Sequence, residues 1–401
     1  MSKARTDEDP PEETAAEASA DAEAGEDEGA PAEAEAAPAE AAPAEDKAAK
    51  DGGGEPTFGA LLRDYYLTFD RRTLGFTRIL LGFLLVMDLF HRTPSWLDFY
   101  GTEGVLPTHL NLFRPQAWGA YSIFNAFTNP GELYVLWAVM LVTFVCLLVG
   151  YKTKLAQILS LIFMTGMNGR VLLIENGGYV VNNLLLLWTC FLPMGDRFSV
   201  DAMLASLKRR REASEDELND RSDVLLPEQE SLHTTVLGAV LVIQIAAIYF
   251  FNVVHKKGPA WKNGTAVHYV LYVDRMVTPF VAATRDYIPN WGFIFMTKTA
   301  LAFEAGIPVA VLSPLGRTWA RRIAIVMINC LHIAFGVTFT LGTFAWSACV
   351  LSTLLFSRED WEIAGETMRR ERRARTVIYD AASPGALLAC RLLKRLDRFE
   401  L

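Results

Sequence analysis

No aromatic residue precedes Phe58, and the only β-branched residues before it are Thr6, Thr14 and Thr57. That stretch is Ala/Glu/Pro low complexity. It has too little apolar surface to offset the entropy of ordering, so a disordered tail is expected over residues 1–55. It also lacks a basic start, a short apolar run and a cleavage site, so no secretory signal is expected there. Cysteine is sparse: of the 5 residues, Cys146, Cys190, Cys330 and Cys349 lie inside apolar runs and Cys390 lies near the C-terminus. None share metal-ligand spacing, so neither a disulfide framework nor a metal site is expected. Charge is scarce as well. Charged residues make up 21% of the chain and hydrophobic residues 51%, against roughly 25% charged in a soluble domain. The net charge of −8 comes from the tail, where 18 acids stand against 4 bases. The remaining residues carry 28 acids and 34 bases. No acidic field of the whole protein exists to act on a partner, and nothing points to nucleic acid.

What the chain does have is long apolar runs. A helix that crosses a bilayer needs about 17–25 apolar residues. Eight candidates occur, at 74–91, 132–150, 154–169, 177–195, 234–254, 290–313, 321–340 and 341–356. The expected fold class is all-α, a polytopic membrane bundle of about eight transmembrane helices. It occupies 56–357, between the acidic tail and a basic C-terminal segment, 358–401. With the N-terminus in the cytoplasm, the basic clusters at Arg63, Arg71 and Arg72, Lys152 and Lys154, Lys208–Arg211, Arg317–Arg322 and Arg369–Arg373 all fall inside. Both termini are then cytoplasmic, and the membrane is the cytoplasmic (inner) one. Segments 92–131, 170–176 and 255–289 face outward. Lys256, Lys257 and Lys262 break the pattern there.

Four groups of polar residues bear on chemistry. Arg78, Asp88 and Arg92 lie in the first apolar run. The i,i+4 spacing of Asp88 and Arg92 reads as a structural salt bridge, and Arg78 as a snorkelling side chain. Asn176 opens the fourth run, with Asn182 and Asn183 behind it, and suits either a binding mouth or ordinary capping and interhelical bonding. In the third group His255, Lys256 and Lys257 are followed by Trp261, Gly264 and Tyr269. A lysine desolvated beside another cation loses its proton more easily and becomes a competent base. A cationic collar with a belt tryptophan is the alternative reading. Glu304 and His332 form the fourth group, lone ionisable residues in apolar runs. They suit proton handling or quinone contact, or a plain interhelical hydrogen bond.

Tyr249-Phe250, Lys256, Trp261, Gly264 and Tyr269, with Ser199-Val200-Asp201 and with His332 ahead of Gly342-Thr343-Phe344, carry a resemblance. From Leu74 to Phe356, about 280 residues, the chain resembles the HTTM family, whose membrane domain is shared with vitamin K-dependent gamma-carboxylase. The resemblance implies Lys256 as catalytic base and includes His332; Glu304 and His332 are the further catalytic candidates. His255, Lys257, Trp261, Tyr269 and Asn176 would contact substrate or quinone. It further implies reduced vitamin K or another lipid quinol as cofactor, membrane lipid as surroundings and a secreted or exported protein as substrate. Two features depart from the carboxylases. Residues 357–401 hold nothing comparable to the large lumenal domain that follows their helices, and Glu175–Tyr179 has no histidine. Thr376–Asp380 and Leu392–Phe399 resemble the start of a DCC-type thiol-disulfide oxidoreductase, but Ser383 and Ala386 stand where its cysteines would. A non-catalytic membrane module that binds lipid or a partner for its processing or export is the rival reading. A transporter would need inverted repeats or broken helices, which the sequence does not show.

Overall fold

The computed structural model describes residues 57–113, 122–171, 174, 176–212 and 232–370, with a few positions between 380 and 393. The acidic tail, Glu175 and most of the DCC-like segment lie outside the described residues. Sixteen helices are present among them. In chain order α1 is Phe58–Tyr66, α2 Arg71–Arg92, α3 Trp96–Tyr100, α4 Thr108–Phe113, α5 Pro130–Val149, α6 Thr153–Arg170, α7 Gly177–Thr189 and α8 Val200–Glu212. Then come α9 Leu237–His255, α10 Pro259–Lys262, α11 Ala266–Leu271, α12 Pro279–Thr284, α13 Asn290–Leu312, α14 Arg317–Thr338, α15 Phe344–Ser352 and α16 Arg358–Arg370. Two three-residue strands, β1 Thr68–Asp70 and β2 Leu232–Thr234, pair antiparallel ahead of α2 and α9.

Local chemistry sets the ends of these helices. Asp70 caps α2 by accepting from the Arg72 amide at 2.7 Å. Pro130 opens α5 inside a capping box of Asn129 and Glu132. Gly150 closes α5 in the left-handed region at φ 73. That turn is clamped from two sides. Arg78, fully buried, donates to the carbonyls of Leu147, Leu148 and Phe198 at 2.7, 2.6 and 2.6 Å. Asp201 accepts from the amides of Lys152 and Thr153, the N-cap and first residue of α6, at 2.8 and 2.7 Å. Arg78 therefore does not snorkel. It reaches inward and satisfies carbonyls that the end of α5 leaves open.

Among the described residues, five helices are long and apolar enough to cross a membrane: α2 with its extension to Tyr100, α5, α9, α13 and α14 from Thr318. This is fewer than the eight expected, and the other three differ for a physical reason. Two of them are short, 13 residues in α7 and 9 in α15, and α6 carries Lys154, Gln157, Asn168 and Arg170 among its apolar residues. The α6 helix starts beside Asp201 and ends with Asn168 bonded to Arg92. The α7 helix starts with Tyr179 under Arg92 and ends where its Thr189 carbonyl accepts from Gln157 of α6. The α15 helix starts against α7, and the chain after it returns to the start of α2, where Thr73 donates to the Phe356 carbonyl at 3.0 Å. Each keeps an exposed apolar face, with Leu155, Ile158 and Ile162 on α6, and turns its polar residues toward protein. Gln157, Ser160, Asn168 and Asn182 are accordingly buried on α6 and α7.

The main core runs through α2, α5, α6, α7, α9, α13, α14 and α15. Trp96, Tyr100, Phe124, Phe144 and a set of leucines are its largest members. A smaller core of Leu271, Val277, Val281 and Phe293 holds the α10–α12 segment, which forms a cap between α9 and α13. Backbone bonds tie this cap to the α14–α15 turn, from Thr278 to Thr338 and from Thr340 to Met276.

Candidate functional site

The α9 helix buries Leu241, Val242, Ile245, Ala246 and Tyr249, a stripe at helical spacing. It ends at His255, and Lys256 is its C-cap. The chain turns there, with the Lys257 amide donating to the His255 carbonyl at 3.0 Å, and Pro259 opens α10. The Lys256 side chain does not follow the turn outward. It folds back onto α13 and forms an ion pair with Glu304. Glu304 is 3% exposed and lies on the buried stripe Phe293, Thr297, Glu304, Ile307, Val311. The Lys256 side chain is 21% exposed. The Trp261 ring covers its ammonium, 4.8 Å from the ring centroid.

His332 lies on the facing side of α14, also buried. The Tyr249 hydroxyl and His332 Nε2 are hydrogen-bonded at 2.9 Å. The other ring nitrogen, Nδ1, is buried with no hydrogen-bond partner among the described residues. The rings of Phe335 and Phe344 each pack 5.5 Å from the imidazole, centroid to centroid. Lys256, Glu304, Tyr249 and His332 thus collect where α9, α13 and α14 meet. They come from segments that are remote in sequence.

The remaining expected contacts are placed elsewhere. His255 is exposed, its Nδ1 2.7 Å from the Phe251 carbonyl oxygen, and Lys257 is exposed too. Neither joins the Lys256–Glu304 pair. Tyr269 is exposed on the cap, beside His268. Nearby, Tyr272 donates to Asp286 at 2.7 Å, which holds its phenol above the ordinary range. Asn176 caps α7, accepting from the Gly178 amide at 2.9 Å.

A second polar cluster surrounds that cap. Arg92 donates to Asp88 at 2.9 Å, to Tyr100 at 2.6 Å and to Asn168 at 3.3 Å, and it sits 4.3 Å over the Tyr179 ring. The i,i+4 pair read from the sequence is therefore present, as one part of a larger network. Asn168 also donates to Asn183 at 3.2 Å. Neither amide atom of buried Asn182 has a partner among the described residues. Phe344 stands between the two clusters, touching His332 on one side and Gly177 and Gly178 on the other.

Sequence reasoning passed over Tyr249 as a site residue, although a signal for it existed. A tyrosine on the buried stripe of an apolar helix must find a partner for its hydroxyl.

A family model, HTTM domain, matches residues 223–361. No curated protein and no solved structure matches the chain. The matched region runs from before β2 into α16 and contains Tyr249, Lys256, Glu304 and His332. With five helices of membrane-crossing length among the described residues, the chain is an integral membrane protein, and its residues 223–361 are similar to the HTTM domain.

Proposed function

We propose that the protein is a carboxylase-like membrane enzyme that works with a reduced lipid quinone, vitamin K or a relative, and uses Lys256 as proton acceptor. The observation that carries this reading is the inward turn of Lys256 onto buried Glu304. A collar lysine would instead extend its head group to water or lipid phosphate. The surroundings suit a quinoid ring. Orphaned, buried His332 Nδ1 offers one polar contact, and Phe335 and Phe344 offer apolar faces. Lys256, His332 and these two rings would hold such a molecule. When bound, a reduced quinone supplies, together with oxygen, the basicity that carboxylation of a glutamyl side chain requires.

The chain's own part is to manage a proton at Nζ of Lys256. In a site poor in water, desolvation penalises both members of an ion pair. Transfer of the ammonium proton to Glu304 leaves an amine able to accept a new one. Trp261 shields that exchange from solvent. The charge pattern supports an outward-facing Lys256, where a secreted or exported substrate protein would be met.

The test is to supply reduced naphthoquinones, oxygen and a glutamyl peptide to membranes and to follow epoxide formation. Active wild type with inactive Lys256→Ala and Lys256→Arg is expected, because arginine does not deprotonate in proteins. An active Lys256→Arg variant would remove the base role.

One observation favours a second reading. A carboxylate and an indole face are good partners for a permanent ammonium. On that reading the pair locks α9 to α13 in a non-catalytic module that binds lipid or a partner protein for processing or export. Wild type that forms no epoxide with any quinol would favour it.

A further inference from the structure

Tyr249 and His332 are joined by one hydrogen bond, and its direction fixes which atom of the ring is left to act. The phenol has no other hydrogen-bond partner among the described residues. A buried O–H that donates to nothing is costly, while imidazole Nε2 is a good acceptor. The favourable arrangement has Tyr249 donating to Nε2. Nε2 then carries no proton, and the neutral ring holds its proton on Nδ1. An imidazolium is disfavoured here, because Glu304 is already paired with Lys256. The Nδ1–H that results is a buried donor with no acceptor, set among the rings of Phe335 and Phe344.

We propose that Tyr249 is a positioning residue that holds His332 as its Nδ1–H tautomer, and that this N–H donates to an acceptor oxygen of a lipid-soluble ring compound lying against Phe335 and Phe344. The second clause rests on the quinone reading above; the first does not. The oxygen class follows from the geometry. A donor-only atom at Nδ1 selects a carbonyl, ether or phenolate oxygen and gives nothing to a ligand N–H. Tyr249 is separated from any such ligand by His332, so it acts through the histidine.

Two measurements separate the clauses. The first needs no ligand: nitrogen NMR of the full-length protein in lipid nanodiscs with ¹⁵N-histidine. His332 is one of 6 histidines and is assigned by the signal lost in His332→Asn. The proton is expected on Nδ1 in wild type, with a shift toward Nε2–H in Tyr249→Phe, which keeps the ring and removes only the hydroxyl. A proton on Nε2 in wild type, or no change in Tyr249→Phe, overturns the first clause.

The second measurement is binding of a radiolabelled 1,4-naphthoquinone with one short prenyl chain to the same nanodiscs. An asparagine amide nitrogen overlies the place of Nδ1, and a glutamine amide nitrogen that of Nε2. His332→Asn is therefore expected to bind within about threefold of wild type and His332→Gln at least about tenfold more weakly, a difference of roughly 1.4 kcal/mol. The reverse order overturns the assignment of the donor to Nδ1. Wild type that binds no probe overturns the second clause and the quinone reading together, and the NMR result then still decides the role of Tyr249.

Discussion

Gly178 and Phe344 bring the first turns of α7 and α15 into backbone contact: a Cβ on Gly178 would overlap the Phe344 backbone. The same phenylalanine touches His332 on its other side. The close approach at Gly178 therefore sets where the aromatic wall of the candidate site stands. Gly178→Ala is expected to cost about 1–3 kcal/mol through overpacking. Thermal unfolding in detergent would read the loss. A variant as stable as wild type would show that α7 and α15 have slack.

Arg78 is expected to tolerate no substitution, lysine included. Its guanidinium meets three carbonyls from two segments, and a single ammonium does not span that fork. Hydrogen bonds from a charged donor contribute about 1.5–3 kcal/mol each. Arg78→Lys should lower the recovery of monodisperse protein on size-exclusion chromatography. Unchanged recovery would argue against the clamp.

The Lys256–Glu304 pair should behave non-additively. Removing one charge leaves the other buried or half-buried without its partner, at about 3–5 kcal/mol for a fully buried pair. Lys256→Met alone and Glu304→Leu alone should each destabilise, and the double variant should recover much of the loss. A thermal-denaturation double-mutant cycle with additive singles would mean that the two charges are solvated independently.

Gly258 and Ala205 lie in turns and helices at opposite ends of the bundle by the charge pattern. In a cysteine-free background, a membrane-impermeant maleimide applied to intact cells should label Gly258→Cys and spare Ala205→Cys. Both positions are exposed, so access depends on the side of the membrane. The opposite labelling pattern would invert the topology, and the candidate site would then open inward.

Apolar runs are local properties, so the sequence alone determined the all-α membrane class, and its eight apolar runs included the five long spans. It also determined the Asp88–Arg92 pair, because an i,i+4 step on a helix brings two side chains together wherever that helix lies. Helix packing decided what lies beyond one helix. Whether Lys256 extends outward or folds back depends on how α13 crosses α9, which no single segment encodes. The same holds for Tyr249 and His332, for Arg78 and the end of α5, and for the buried polar faces of α6 and α7. Gln157, Ser160, Asn168 and Asn182 lie on faces that meet protein rather than lipid, and what a helix face meets is decided only once the bundle is assembled.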